Sequence, residues 1–502
     1  MEKINLIAIV KLNKILLIQK NNYNENKVIG NKSSKFNYVS TNLYSFHNIL
    51  NNLTNTKEHK ILKYMKNKIN VQNVTTFYQF SNIFNILTSR MVIFNFIERC
   101  FTMVVETENF LELDYTLVVK ILESSQLNIT SELEVFDAAD AWVRYKIKGR
   151  GMFANGLLKK VRLTLLSEST LKYLFKKSSL SYDNTTFVAT LTEVLYSNQN
   201  SLQKKLSVSC THRYCDKNKF NILICGGKDR SKASRKVKKI DGSNLKNVEY
   251  LKPMVEKRKF SKAVCVKGEV YVFGGYNKGR TWVMSVEKYS PSNNTWKNVS
   301  VLHDDREHFC VCAFMNKIFI IGAKYSDYNF YSTDTSSCLQ FDTKDCKWTE
   351  AASMIEARTC AACAVFQGNI VVSGGRGNYG DKLNSVESYD AVAEKWSPMP
   401  SMINSNSSHK LVVAKNKLFV IGTAPGKCEV FDNICRKFIA FKFPKVSDFC
   451  LGEAISIGSK IIVFRYGEPN ICYNVDKDEW TEDTYDITEN LFFYCCLKIP
   501  VY

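Results

Sequence analysis

Residues 262–275 read KAVCVKGEVYVFGG. Two short apolar runs, rich in β-branched and aromatic residues, flank the turn signal Lys267-Gly268, so the local unit is a hairpin. The second run is apolar on both faces and reads as a fully buried strand. It ends on the pair Gly274-Gly275, and the same ending recurs about every 50 residues: Gly226-Gly227, Gly322-Ala323, Gly374-Gly375, Gly422-Thr423 and, more weakly, Tyr466-Gly467. Turn signals precede the other runs as well, at Lys217-Asn218, Asn316-Lys317, Gly368-Asn369, Asn416-Lys417 and Gly458-Ser459.

Downstream of each small pair comes a polar loop of variable length, then a second signature. It appears as Ile240-Asp241, Tyr289-Ser290, Phe341-Asp342, Tyr389-Asp390, Phe431-Asp432 and Tyr473-Asn474. Seven positions beyond the apolar member stand Trp296, Trp348, Trp396, Phe438 and Trp480, with Asn247 in the first copy. A constant offset implies two more strands with a fixed turn between them. Four-stranded units at this period are blades around a central channel. Glycine lets neighbouring backbones crowd together where a Cβ would clash, and the Trp and Tyr rings fill the space between blades.

These residues resemble the kelch repeat, whose pattern is a double glycine, a Tyr-Asp-like pair, a Trp, then a Met and an Arg. Trp348 is followed by Met354 and Arg358, Trp396 by Met399 and Met402, and Asn247 by Met254 and Arg258. Trp296 is followed by Arg306 without a Met. The resemblance covers 215–502 and implies an all-β propeller of about six four-stranded blades. It also implies that a terminal strand closes the ring, for which Asn490 to Lys498 (NLFFYCCLK) is the candidate. The structural motif positions are Gly226, Gly227, Gly274, Gly275, Gly374, Gly375, Tyr289, Trp296, Trp348, Tyr389, Trp396 and Trp480.

Residues 108–180 have a helical texture. Ser131-Glu132-Leu133-Glu134 is a capping box, and Val135, Phe136, Ala139, Trp142 and Val143 then recur at helical spacing. Further helices fit Phe110 to Leu122 and Ser167 to Phe175. The stretches ENFLELDYTLVVKILESSQLNITSELEVFDAADAWVRY and LLKKVRLTLLSESTLKYLF resemble the BACK domain that precedes kelch propellers, here placed at 66–200. Asn73-Val74 through Phe84 and Phe96 to Arg99 fit its first helices. Residues 1–65 are a Lys/Asn-rich segment expected to be a degenerate or partial BTB domain, with Ser33-Ser34-Lys35-Phe36 similar to a BTB phrase. The resemblance implies that this region dimerises the protein and contacts a cullin-3 ubiquitin ligase scaffold.

The formal net charge of +21 raises nucleic acid as a partner, but its distribution argues against one. Residues 1–70 alone hold 12 Lys and no Arg against 3 Glu, among 15 Asn. The 17 cysteines form no regular framework, which points to a reducing compartment, cytoplasmic or nuclear. No stretch reaches the length of an apolar membrane span.

Reactive constellations are sparse. Cys360-Ala-Ala-Cys363 has metal-site spacing, but on a strand residues three apart face opposite sides, so the two read as small buried strand residues. His303, Asp304, Asp305 and His308 read as a solvated loop. No nucleophile, base and oxyanion set assembles, and Gly274-Gly275 and Gly374-Gly375 are followed by no phosphate-loop Lys. The expectation is a binding protein without enzyme activity, cofactor or metal. Arg258, Arg306 and Arg358 recur at equivalent repeat positions, while Arg230, Tyr276, Arg280, Tyr325 and Arg376 sit in loops after the small pairs, with Lys228, Lys324 and Tyr379. Arg and Tyr are enriched at protein interfaces, and Arg grips carboxylates with two donors. They are therefore the expected partner-binding residues, for an acidic peptide segment; the other reading of the three repeated Arg is structural pairing with Asp or Glu of adjacent blades. The resemblance implies a cullin-3 substrate adaptor; a scaffold or actin-binding kelch protein is the reading from another class.

Overall fold

The computed structural model describes residues 69–177, 189 and 220–500, except 84–86, 167, 230–231, 243, 278–280, 303–305, 327–331, 423–427, 442–450, 466–467, 483–490 and 493. The segment 1–65 and the C-terminal part of the 66–200 region therefore lie almost wholly outside the described residues. Two compact units are present. One takes the described residues up to Ile97 together with Thr107–Leu113; the other takes Glu98–Glu106 and the chain from Asp114 onward.

The first unit holds helix Val74–Ile83, most of helix Leu87–Arg99 and, later in the chain, the short helix Glu108–Leu111. Thr107 caps that short helix by accepting from the Phe110 amide, and Asn109 reaches back to the Gln72 carbonyl. The helix expected over Phe110 to Leu122 is broken in two. Asp114 interrupts it because its carboxylate accepts from Leu117 N at 3.0 Å and starts a fresh helix, Tyr115–Glu123.

The second unit opens with that helix and with Glu132–Tyr145, where Ser131 Oγ accepts from the Leu133 amide. Glu134 reaches back one residue further than a capping box requires, to the amide and hydroxyl of Thr130. Val135, Phe136, Ala139, Trp142 and Val143 are all buried, as their spacing predicts. Arg150 lies over the Trp142 ring at 3.9 Å. Helix Glu168–Lys177 follows.

Six blades built on four strands follow among the described residues, blade three carrying in addition the short strand Arg306–Glu307. Blade two is the simplest: Lys262–Val266, Glu269–Phe273, Ser285–Ser290 and Thr295–Val301 pair in sequence order, all antiparallel. Blades three to six repeat that order, starting from inner strands Cys310–Phe314, Ala362–Phe366, Lys410–Ala414 and Leu451–Ile457. Blade one differs. Its Phe220–Cys225 strand pairs inward with Cys495–Pro500, Cys225 facing Cys495 and Phe220 facing Pro500. That C-terminal strand neighbours the inner strands of blades two and six, so the ring is closed. The strand expected over Asn490 to Lys498 thus runs over Cys495–Pro500, and Leu491–Phe492 instead pairs with Lys228–Asp229 in a small loop sheet.

The glycines act on the crossover loops. Gly226 and Gly275 both have positive φ; a Cβ on Gly226 would meet Arg258 O at 2.7 Å, and one on Gly275 would meet Lys259 O at 2.6 Å. The loop from blade one to blade two is therefore held between glycines of both blades, at a distance no other residue allows. The aromatic pairs knit blades together: the Trp296 ring lies tilted against Tyr289, centroids 4.9 Å apart, and donates its indole N–H to Lys252 O of the preceding crossover at 2.8 Å. The apolar core of blades one and two is shared, with Leu223, Val237 and Leu497 packed among Val270, Val272 and Trp296.

Candidate partner-binding face

Each blade has a glycine end and a turn end. At the turn end, a cavity of about 270 Å³ is bounded by residues 127–132 of the helical part and by the turns Gln367-Gly368, Lys415-Asn416 and Gly458. Lys267, in the turn of blade two, pairs there with Glu106 at 2.6 Å. The glycine end carries the variable loops, the crossovers and the mouth of the channel, which makes it the candidate for recognition.

The repeated arginines do not face a partner. Arg258 and Arg358 are fully buried. Arg258 donates to Glu287 Oε1 from Nε at 3.0 Å and from Nη2 at 2.8 Å, to Gly274 O at 3.1 Å and to Ser285 Oγ at 2.7 Å. Glu287 also accepts the amides of Val255 and Glu256 from the same crossover, at 2.6 and 3.0 Å. Burial pulls the Arg258 guanidinium below its usual range, against the opposing charge and hydrogen bonds of Glu287. Arg358 repeats the arrangement with Glu387, Gly374 O and Ser385. Arg306, also buried, donates to Ser337 Oγ at 2.9 Å, because Leu339 occupies the place of the glutamate. Expected at a binding surface, these three side chains instead tie crossovers to blades. Desolvating a guanidinium requires a carboxylate or several oxygens around it, and the repeat supplies them.

The remaining expected residues divide. Arg376 is exposed, with Nη1 donating to Gly380 O at 3.1 Å in its own loop. Tyr276 is half-buried; its ring lies 4.4 Å from Trp282 and meets Phe260 edge-on at 6.0 Å. Tyr379 is 94% exposed, the most solvated kind of contact side chain on this end. Tyr325 sits in the ladder opposite Arg306, and Arg230 and Arg280 lie outside the described residues.

Other groups on this face escaped the sequence reading. Lys257 and Lys259 flank the buried Arg258, with Lys257 exposed, and Lys232, Arg235 and Lys236 stand exposed in the adjoining blade-one loop. One sector, over blades one and two, is therefore basic and borders the Phe260–Tyr276–Trp282 aromatic group. The residues after the crossover methionines Met254, Met354 and Met402 are exposed and apolar: Val255 at 48%, Ile355 at 64% and Ile403 at 57%. Deeper in the channel, Lys410 pairs with Glu453 at 2.8 Å. Among the described residues, no three His, Cys, Asp or Glu side chains are placed to hold a metal ion, and no helix is long and apolar enough to cross a membrane. The arrangement can bind a polypeptide through cations, aromatic rings and isolated apolar contacts on a rigid support.

Comparison with known families agrees with this architecture. Residues 74–176 match the BACK domain, described as BTB And C-terminal Kelch, and residues 257–300 and 357–403 match the kelch motif. Kelch-like protein 23 of Mus musculus is 28% identical over 156 residues, 30% of this chain and 26% of that protein. Kelch-like protein 7 of Homo sapiens is 24% identical over 343 residues, 66% of this chain and 56% of that one. Kelch domain-containing protein 8B of Rattus norvegicus is 30% identical over 167 residues, 32% of this chain and 47% of its own. The chain spans between about a quarter and just over half the length of these relatives.

Proposed function

We propose that this chain, which belongs to the kelch-like family of BACK and propeller proteins, is a substrate-recognition adaptor of a cullin-3 ubiquitin ligase. In this reading the propeller, 215–502, captures a protein by its glycine-end face, and the BACK region, 66–200, with the segment before it holds the ligase scaffold. The protein works in the cytoplasm or nucleus, without catalytic chemistry of its own. The observation that carries the capture half is the basic sector of blades one and two, where Lys232, Arg235, Lys236 and Lys257 are exposed beside aromatic side chains. Such a surface suits an acidic segment with an aromatic or apolar anchor, since cations steer the encounter and rings supply contact area.

Co-precipitation of the full chain with cullin-3, alongside binding of an acidic test peptide, separates the two halves. The expected result is association with cullin-3 and a salt-sensitive peptide affinity that falls about tenfold or more in a Lys232→Glu, Lys257→Glu double variant. Peptide binding without cullin-3 association overturns the ligase role and leaves a scaffold or cytoskeletal capture protein. Unchanged peptide affinity in the variant removes the basic sector as the capture site.

A further inference from the structure

Blades two, three and four carry the same small ladder at the glycine end. In each, a crossover residue pairs with the residue just after the small pair, which pairs in turn with one on the returning chain. The three positions are Lys259, Tyr276 and Trp282 in blade two, Glu307, Lys324 and Asp334 in blade three, and Thr359, Arg376 and Lys382 in blade four. The backbone makes the pairing. Lys259 N donates to Tyr276 O at 3.0 Å and Tyr276 N to Lys259 O at 2.9 Å; Thr359 and Arg376 exchange the same bonds at 2.9 and 2.7 Å. The ladder therefore does not dictate its side chains, and of these three blades only the second places aromatic residues on it.

The residue after the first ladder position is left-handed in all three blades: Phe260, His308 and Cys360 have φ of 59, 54 and 51°. Non-glycine residues are uncommon in this region, and a bulky aromatic one suits it poorly. Blades three and four show that the backbone needs no Phe there. Phe260 is also 40% exposed, so packing in the core does not account for its ring. That ring meets Tyr276 edge-on, centroids 6.0 Å apart, and Tyr276 lies tilted against Trp282 at 4.4 Å. Three rings thus adjoin at the surface, one of them held on strained backbone. Strain of this kind clusters at ligand-binding positions.

The charges around the rings select what can lie against them. The crossover 251–261 holds Lys252, Lys257, Arg258 and Lys259 against one acid, Glu256, and Lys232, Arg235 and Lys236 stand exposed in the adjoining blade-one loop. A cationic side chain would gain from the ring faces but meet like charge. A carboxylate alone would find the lysines and leave the rings in water. A segment that carries both satisfies both: its own ring packs against the three rings, where aromatic contact is worth more than its area, and its carboxylates face the cations.

We propose that Phe260, Tyr276 and Trp282 determine specificity on the capture face by accepting an aromatic side chain of the captured segment beside its acidic residues. This inference rests on the reading of the glycine end as the capture face, and it names what the ligand carries besides negative charge.

The probes are short acidic synthetic peptides that differ only at their central residue, tryptophan, leucine or alanine, titrated calorimetrically against the full chain. The tryptophan version is expected to bind at least about tenfold more tightly than the alanine version and about threefold more tightly than the leucine version. Phe260→Asn puts in place a residue that tolerates left-handed backbone, and is expected to lose the tryptophan preference while keeping its salt-sensitive affinity for the alanine peptide. Trp282→Lys, which gives blade two the residue type of blade four at that register, is expected to lose the preference as well. Equal affinity of the unaltered chain for the tryptophan peptide and for either of the others overturns the platform and leaves acidic capture standing. Binding of none of the three overturns acidic capture and the platform together. A preference that survives in both folded variants also overturns the platform. The comparison of peptides needs no substitution and decides the matter even where a variant is unstable.

Discussion

Blades two and four tie their incoming crossover with a buried Arg–Glu pair; blades three and five hold the same crossover with other chemistry. In blade three Arg306 remains but Leu339 replaces the glutamate, and Ser337 takes the guanidinium. In blade five Glu429 remains and accepts the amides of Ile403 and Asn404, both at 2.8 Å, while Asn406 stands where the arginine would be. In blades two, four and five a glutamate accepts two crossover amides, whether or not an arginine stands beside it. What the fold demands is therefore partners for two loop amides and for the blade's buried polar atoms, and an ion pair is one way to supply them.

The comparison can be broken by removing single partners. The largest effect is expected from Glu387→Ala, which leaves the buried Arg358 with only the partly exposed Glu356 as counter-charge, at 3.2 Å, and two amides of its crossover without an acceptor. The expected loss is about 3–5 kcal/mol in denaturant unfolding, against about 1–2 kcal/mol for Ser337→Ala in blade three. Equal losses would mean that the pair has no special place in blade four.

Blade five offers a pH test of its substituted crossover. His409 is buried, bonded to Ser373 Oγ at 2.7 Å, and burial together with nearby cations lowers its pKa to about 3. Since the folded value lies below the unfolded one, stability is complete above about 6.5 and falls as pH drops toward 3. The slope is about 1.4 kcal/mol per pH unit, so about 2 kcal/mol disappears between pH 6.5 and 5. In His409→Gln this part of the acid dependence of the urea midpoint is expected to vanish.

The smallest contrast concerns the indoles. Trp396 donates to the backbone at Ala352 O, as Trp296 does at Lys252 O, whereas Trp348 donates to the Ser300 hydroxyl. Trp396→Phe is expected to cost about 1 kcal/mol from the lost hydrogen bond, beyond the packing change. Trp348→Phe should cost less, because the Ser300 hydroxyl can turn to another acceptor, and thermal unfolding of the two variants side by side measures the difference.

The propeller was readable because every blade must solve the same problem, and the solution leaves glycines, aromatic pairs and turns at fixed offsets. Phe341 and Tyr389 fall where those offsets put them. The sequence left the repeated arginines open between a surface and a structural pairing because residue type carries no information on burial: only the partner, Glu287 or Glu387 some 29 residues away, decides it. That glutamate, two residues before the aromatic of its repeat, was a visible signal. Lys257 and Lys259 follow no repeat pattern, unlike Arg258 between them. Cys360 reads as a strand residue, yet it precedes the strand Ala362–Phe366 with left-handed backbone, and no short pattern announces positive φ at cysteine. The break at Asp114 was legible as a cap but was outweighed by the apolar residues on both sides.

Ring closure has a consequence in time. Cys225 and Cys495 face each other across the first blade but are 270 residues apart in the chain. At roughly 5–20 residues per second, a ribosome needs on the order of 15–50 s to make the second after the first. Throughout that interval the Phe220–Cys225 strand is an open sheet edge, able to pair with whatever extended chain it meets. Every copy of this protein thus passes through a period in which five blades wait for a sixth to be completed by its last-made strand. Chaperone demand, and sensitivity to premature termination, should be concentrated there.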